Sequence, residues 1–171
     1  MDRLRPLMAA VHLRDIVTEA DREAVLAVRR GPGQERFVAS VEQSFRDALI
    51  DARACPRMWS VNDADQTVGF VMISDGIPAD RLLADRDLLG PYFLWRLLID
   101  ERFQRRGYGR ATLDAIVAYV RTRPGADILW TSAGQGEGTP QPFYESYGFV
   151  ATGEVLEGEA VLRLDLHDAS P

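Results

Sequence analysis

Nine residues from Tyr92 to Asp100, "YFLWRLLID", are apolar almost throughout, with Arg96 the lone charge before the closing aspartate. A short run without polar alternation predicts a strand covered on both faces. Just beyond it come two closely spaced glycines, Gly107 and Gly109. Behind the glycines, Leu113, Ile116, Val117 and Val120 recur at helical spacing. Strand, glycine turn and helix in that order place the turn at the carboxyl end of a buried strand, where α/β folds hold ligands.

The flanking sequence fills in the rest of such a fold. His12 to Val17 predicts a strand, and Thr18 with Asp21 three residues later predicts a helix start. That helix is expected to run through Ala24 to Arg29 until "GPG" breaks it. Val41, Phe45, Ala48 and Leu49 predict a second helix with one buried stripe. Arg57 to Asn62 and Thr67 to Ser74 read as a hairpin around "NDADQ", and "DGIPADRLLADRDLLG" as a loop with a helical turn. After the long helix, Asp127 to Thr131 reads as a strand, "PFYESYGF" as a short helix, and Val150 to Val155 and Ala160 to Leu166 as closing strands. The order predicts an α/β fold with a mixed sheet, and 171 residues are expected to form one domain, 1–171.

Composition narrows the chemistry. With one cysteine, Cys55, no internal disulfide can form, and a cytoplasmic setting is expected. His12, His167 and Cys55 are too few for a structural zinc site, so no metal is expected. The opening residues lack the apolar run of a signal peptide, and no segment reaches the roughly 18 apolar residues of a membrane span. A net charge of −6 argues against nucleic acid as partner and suits a cationic small substrate, as it also suits plain solubility.

Against that acidic background, "ERFQRRGYGR" gathers Arg102, Arg105, Arg106 and Arg110 around the glycines. A glycine turn opening a helix aims free N–H groups at the positive end of the helix dipole, which makes an anion site with pyrophosphate as a common guest. A tight turn with a solvated basic flank would look the same. A dinucleotide fold fits poorly, because Thr112 stands where a third glycine belongs.

The string "QRRGYG" matches the Q/R-x-x-G-x-G/A motif of the GCN5-related N-acetyltransferases, and "FYESYGF", Phe143 to Phe149, resembles that family's Y-x-x-x-G-F element. The resemblance extends along the whole chain. "RFVASVEQSFRDA", "VGFVMI", "WRLLID" and "GEAVLRLDL" look similar to its spermidine/spermine-type subgroup. It implies a twisted, mostly antiparallel mixed sheet of six to seven strands flanked by about four helices, with acetyl-CoA as cosubstrate. In this likeness Gln104, Arg105, Arg106, Gly107, Tyr108, Gly109 and Arg110 would hold the pyrophosphate. Leu97, Leu98 and Ile99 would lie along the pantetheine arm and offer a backbone N–H to the thioester carbonyl. Tyr144 would protonate the leaving thiolate, unless its ring only fills a gap between helix and sheet. The family's usual asparagine, seven residues before that tyrosine, is here Glu137.

The residues that meet the amine are harder to read. Glu35 could bind or deprotonate an amine, or be a solvated surface carboxylate. Asp100 and Asp75 are weaker candidates for the base, and Trp95 is expected to wall the substrate pocket or to sit in the core. The implied function is acetyl transfer to a primary amine of a small molecule, with polyamines included. A peptide or protein amine, a non-catalytic acyl-CoA-binding module and a nucleotide-binding regulatory domain are the competing readings. The resemblance also allows a homodimer through the C-terminal strands.

Overall fold

The computed structural model describes residues 9–167. Strand β1, His12–Asp15, leads into helix α1, Glu19–Leu26. The Thr18 hydroxyl accepts the Asp21 N–H at 3.1 Å, and the Asp21 carboxylate accepts the Thr18 N–H at 2.9 Å, so two orphan donors are satisfied reciprocally. Helix α1 stops at Leu26 rather than running to Arg29. A tertiary partner takes over there. The Arg29 N–H donates to the Asp100 carboxylate at 3.1 Å, and the Arg29 carbonyl accepts from the Glu101 N–H at 3.0 Å.

A 3₁₀ turn, Gln34–Arg36, precedes α2, Val41–Ile50, which is capped by Ser40. Val41, Phe45 and Ala48 form its buried line together with Ser44, but Leu49 is 83% exposed. One residue past Ala48, the helix has turned about 100° from the sheet, and a helix of ten residues has only one face to bury.

Seven strands make one sheet in the order β1-β2-β3-β4-β5-β7-β6. Its further members are β2, Pro56–Asp63; β3, Gln66–Asp75; β4, Tyr92–Ile99; β5, Ile128–Gly134; β6, Val150–Leu156; and β7, Glu159–Asp165. Every neighbouring pair is antiparallel except β4 with β5. The remaining helices are α3, Ala79–Ala84; α4, Tyr108–Arg121; and α5, Gln141–Tyr147. The expected mixed, mostly antiparallel sheet is what forms. No helix among the described residues is long and apolar enough to cross a membrane.

The sheet separates two apolar layers. On one side Val71, Ile73, Leu94 and Leu129 pack against Leu113, Ile116, Val117 and Val120 of α4. On the other, Phe70, Met72 and Leu98 pack against Val25, Val41 and Phe45 of α1 and α2. Two irregularities in β4 shape the centre of the molecule. Met72 faces Arg96 while Ile73 faces Leu94, so Trp95 is an extra residue, a β-bulge. The bulge shifts the alternation by one, which turns Leu94 toward α4 but Arg96 and Leu98 toward α1 and α2. The second irregularity is that β4 and β5 pair only at Phe93–Trp130 and Leu94–Thr131. Beyond Leu94 the two strands part. The predicted full cover of β4 therefore fails at Trp95, Arg96 and Leu97, which are only partly buried because they border this gap.

Candidate active site

The glycine turn leads from β4 into α4 as predicted. Arg105 and Gly107 both take left-handed backbone, with φ 59° and φ 86°, so the chain doubles back before the helix starts. Glycine adopts this freely at position 107, whereas Arg105 bears a strain of about 1 kcal/mol. Gly107 caps α4 without any side-chain hydrogen bond. The first N–H groups of this 14-residue helix consequently point outward at its positive end.

The side chains of the motif divide by task. Arg105, Arg106 and Arg110 are exposed beside the helix start. Arg106 lies over the Phe103 ring at 5.7 Å and Arg110 over the Tyr147 ring at 5.1 Å. Arg102, counted with them in the sequence, is turned away: its guanidinium binds Asp100 at 2.8 Å. Gln104 donates to the Ile99 carbonyl at 3.0 Å and to Gln34 at 2.9 Å, which ties the end of β4 to the 3₁₀ turn. The Tyr108 hydroxyl reaches back to the Asp63 carboxylate at 2.5 Å, leaving only its backbone N–H at the turn.

The gap between β4 and β5 holds a cavity of about 260 Å³. Leu97, Leu98 and Ile99 form one wall, Phe143 and Tyr144 another, and Gln34, Phe37 and Val38 close it from the α1–α2 side. The Asp100 N–H binds Val68 on β3, whereas the Ile99 carbonyl faces away from β3 to meet Gln104. Strand alternation then turns the backbone of Leu97 toward the gap, where β5 no longer pairs with it.

Tyr144 is 7% exposed, and its ring packs between Phe143 and Phe149 at centroid distances of 5.3 and 5.5 Å. Its hydroxyl lies beside Thr131, whose own hydroxyl donates to the Leu94 carbonyl at 3.0 Å. Leu94–Thr131 is the last paired position before the strands separate, so Tyr144 stands at the vertex of the gap. Burial pushes the phenol up to about 12, helped by the Glu159 charge and opposed by the Thr131 hydroxyl and Arg96. Packing and reach toward the gap are thus combined in one residue.

A second cavity, about 300 Å³, adjoins the first and extends toward the residues that follow α2. It shares Trp95, Arg96, Ser132 and Glu159 with the first. Trp95 thus walls both spaces. Asp51, Asp87 and Glu157 add carboxylates to the second cavity, and Phe93, Leu88 and Leu156 add apolar surface. Arg53 also lines it, but pairs with Asp51 and Asp85. Arg96 binds Asp47 at 3.1 Å, and its Nε is buried without a partner among the described residues.

The three carboxylates singled out from sequence stand elsewhere. Glu35 lies on the exposed side of the 3₁₀ turn, while its neighbours Gln34 and Phe37 line the cavity. Asp100 is 0% exposed and is committed to Arg29 and Arg102. Burial alone would raise its carboxyl, but the Arg102 guanidinium, the Arg102 and Arg29 N–H groups and the positive charge outweigh that and hold it below the usual range. Asp75 accepts from Tyr119 at 2.6 Å and from Arg123 at 3.1 Å. Glu137 is exposed, and its carbonyl accepts from Arg36 at 2.9 Å, which fastens its loop to the 3₁₀ turn.

Sequence reading overlooked Ser132, Glu159 and Phe37. Ser132 is signalled only by being a polar residue within a strand. Glu159 reaches the site through the pairing of Gly134 with Glu159 across β5 and β7, which one sequence cannot reveal.

The chain is similar to known proteins in sequence and in fold. Residues 55–151 match the family model of the acetyltransferase (GNAT) domain, more than half of the chain. The chain belongs to this acetyltransferase family. A protein assigned to the same family from Desulfovibrio desulfuricans has a solved structure that is 25% identical, with TM-score 0.65, over 92% of this chain and 99% of that one. The fold is shared with the ribosomal-protein-S18-alanine N-acetyltransferase of Escherichia coli at 16% identity and TM-score 0.60, over 94% of this chain and 96% of that one. It is shared too with the PaiA N-acetyltransferase of Thermoplasma acidophilum, solved in complex with coenzyme A, at 13% identity and TM-score 0.60, over 91% and 99%. No curated protein matches the chain significantly.

Proposed function

We propose that this protein moves the acetyl group of acetyl-CoA to a primary amine of a small cationic molecule, polyamines being one such class. The observation that carries the reading is the single line of features along the gap: the uncapped start of α4, the free edge of β4 at Leu97, and Tyr144 at the vertex. The donor set fits a thioester of a nucleotide phosphate. Backbone N–H groups at Gly107 to Arg110 and three exposed arginines suit the pyrophosphate. A cleft of mixed apolar and polar lining with one unpaired strand edge suits the pantetheine arm, which carries amides on an aliphatic chain.

In this role the Leu97 N–H polarises the thioester carbonyl as negative charge develops on its oxygen. Tyr144 donates a hydrogen bond to the sulfur as the C–S bond lengthens. A phenol at about 12 facing an alkyl thiol near about 8.5 makes complete proton transfer uphill by roughly 5 kcal/mol. Tyr144 therefore acts chiefly by hydrogen bonding, and the proton that ends on sulfur originates from the amine. The carboxylates of the second cavity and the net charge of −6 support a cationic acceptor.

The test is acetyl-CoA turnover against a mixed amine library, with products read by mass spectrometry. The expected result is free CoA together with one or more amines that gain the mass of an acetyl group. Tight acetyl-CoA binding with no product from any amine would instead favour a non-catalytic acyl-CoA-binding module.

A further inference from the structure

Among the described residues, Glu159 alone of the carboxylates lining the two cavities belongs to both. It follows the tight turn between β6 and β7 and pairs across the sheet with Gly134. The Ser132 hydroxyl donates to its Oε2, which leaves Oε1 without that restraint. Glu159 and Tyr144 line the same first cavity, in which the thioester would sit. Glu159 also borders a shallow depression formed by Arg36, Gln135 and Gly158, open to solvent.

We infer that the amine enters through the second cavity and that Glu159 is the catalytic base, taking the proton from the ammonium group. The inference rests on the acetyl-transfer reading and assigns the proton path within it. An ammonium drawn in by Asp87 and Glu157 meets Glu159 at the constriction shared with the first cavity. One proton passes from nitrogen to Glu159 Oε1 and then to water through the open depression. The freed lone pair forms the C–N bond at the thioester carbon. The C–S bond then breaks with its electron pair going to sulfur, and the second nitrogen proton ends on the thiolate. Asp47, Arg96 and Tyr144 face this region from α2, β4 and α5, and Arg96 is paired with Asp47, not with Glu159.

The experiment compares wild type, Glu159→Gln and Glu159→Asp with a primary alkylamine across pH 6 to 10, with acetyl-CoA affinity measured by calorimetry. A base of this kind is worth about 10²–10⁴ in rate. Glu159→Gln is expected to lose about 100-fold in kcat/KM at neutral pH, with acetyl-CoA affinity within twofold of wild type. Its deficit should shrink roughly tenfold per pH unit as the amine approaches its own pKa of about 10, because solution then supplies the neutral amine. Glu159→Asp, which keeps the charge on a shorter arm, should fall between the two. A deficit that is the same at every pH, a loss of acetyl-CoA binding, or activity within twofold of wild type would each overturn the assignment and leave acetyl transfer standing. A wild-type protein that acetylates no amine overturns both.

Discussion

The ring of Phe143 occupies the space a side chain on Gly109 would need: a Cβ built there would stand 3.1 Å from Phe143 Cζ. The first turn of α4 and the helix that carries Tyr144 are thereby packed directly against each other. The two motifs, remote in sequence, are one rigid unit in space.

Gly109→Val should therefore do two things. It should displace Phe143 and with it α5, and it should crowd the N–H groups at the start of α4. The expected outcome is at least a tenfold loss of acetyl-CoA affinity by calorimetry, with a native far-UV circular dichroism spectrum. Gly107→Ala tests a different cause, since its Cβ would meet only Ala9 at 3.7 Å. Its cost, about 1 kcal/mol of stability, comes from φ 86°.

Tyr144→Phe keeps the ring between Phe143 and Phe149 and removes the hydroxyl. A drop of about 10- to 100-fold in kcat is expected, with acetyl-CoA affinity unchanged. Since the phenol is pushed up to about 12, it stays a neutral donor through pH 6 to 10. The ratio of wild-type to mutant kcat should accordingly be flat over that range. A ratio that collapses below pH 9 would contradict the role.

Asp100 anchors the approach to the glycine turn by holding the Arg29 and Arg102 N–H groups and the Arg102 guanidinium. Asp100→Asn should destabilise the protein by about 2 kcal/mol in urea unfolding, the scale of hydrogen bonds to a charged group. The folded carboxyl is depressed, so its contribution is complete above the unfolded value of about 3.9 and is lost as pH falls through the folded value. The stability gap between wild type and mutant should narrow in acid and remain constant from pH 5 to 8.

Much of this architecture is legible in the sequence, because local rules and tertiary demands agree there. The Thr18 cap, the α4 stripe and the glycine turn each follow from spacing of a few residues. The misses have tertiary causes. Arg29 leaves the helix because a carboxylate 71 positions away in sequence captures its N–H. Leu49 is on the wrong side of a helix with one buried face. The bulge at Trp95 turns an apolar run into a strand whose middle faces two cavities, a consequence of pairing with β3. Glu35 is a carboxylate near an apolar segment, yet the inward residues of that turn are Gln34 and Phe37.

Phe37 packs so close to Gly134 that a Cβ on Gly134 would lie 2.9 Å from its Cδ1. Gly134→Ala should push the ring within the cavity wall and weaken acetyl-CoA binding about three- to tenfold, with little change in melting temperature. In a Phe37→Ala background the same substitution should have no further effect, a non-additivity that identifies direct contact.

The fate of the acetyl carbon distinguishes transfer to an amine from every alternative. Acetyl-CoA carrying a heavy-isotope carbonyl carbon, incubated with the protein and spermidine, can be followed by nuclear magnetic resonance. All 20 cationic side chains of this chain are arginines, so no lysine of the enzyme can take up the label. The predicted result is loss of the thioester signal matched by an equal gain of amide signal on spermidine, abolished by omitting the amine. A thioester signal that persists, or that passes to free acetate at the same rate with and without spermidine, would contradict it.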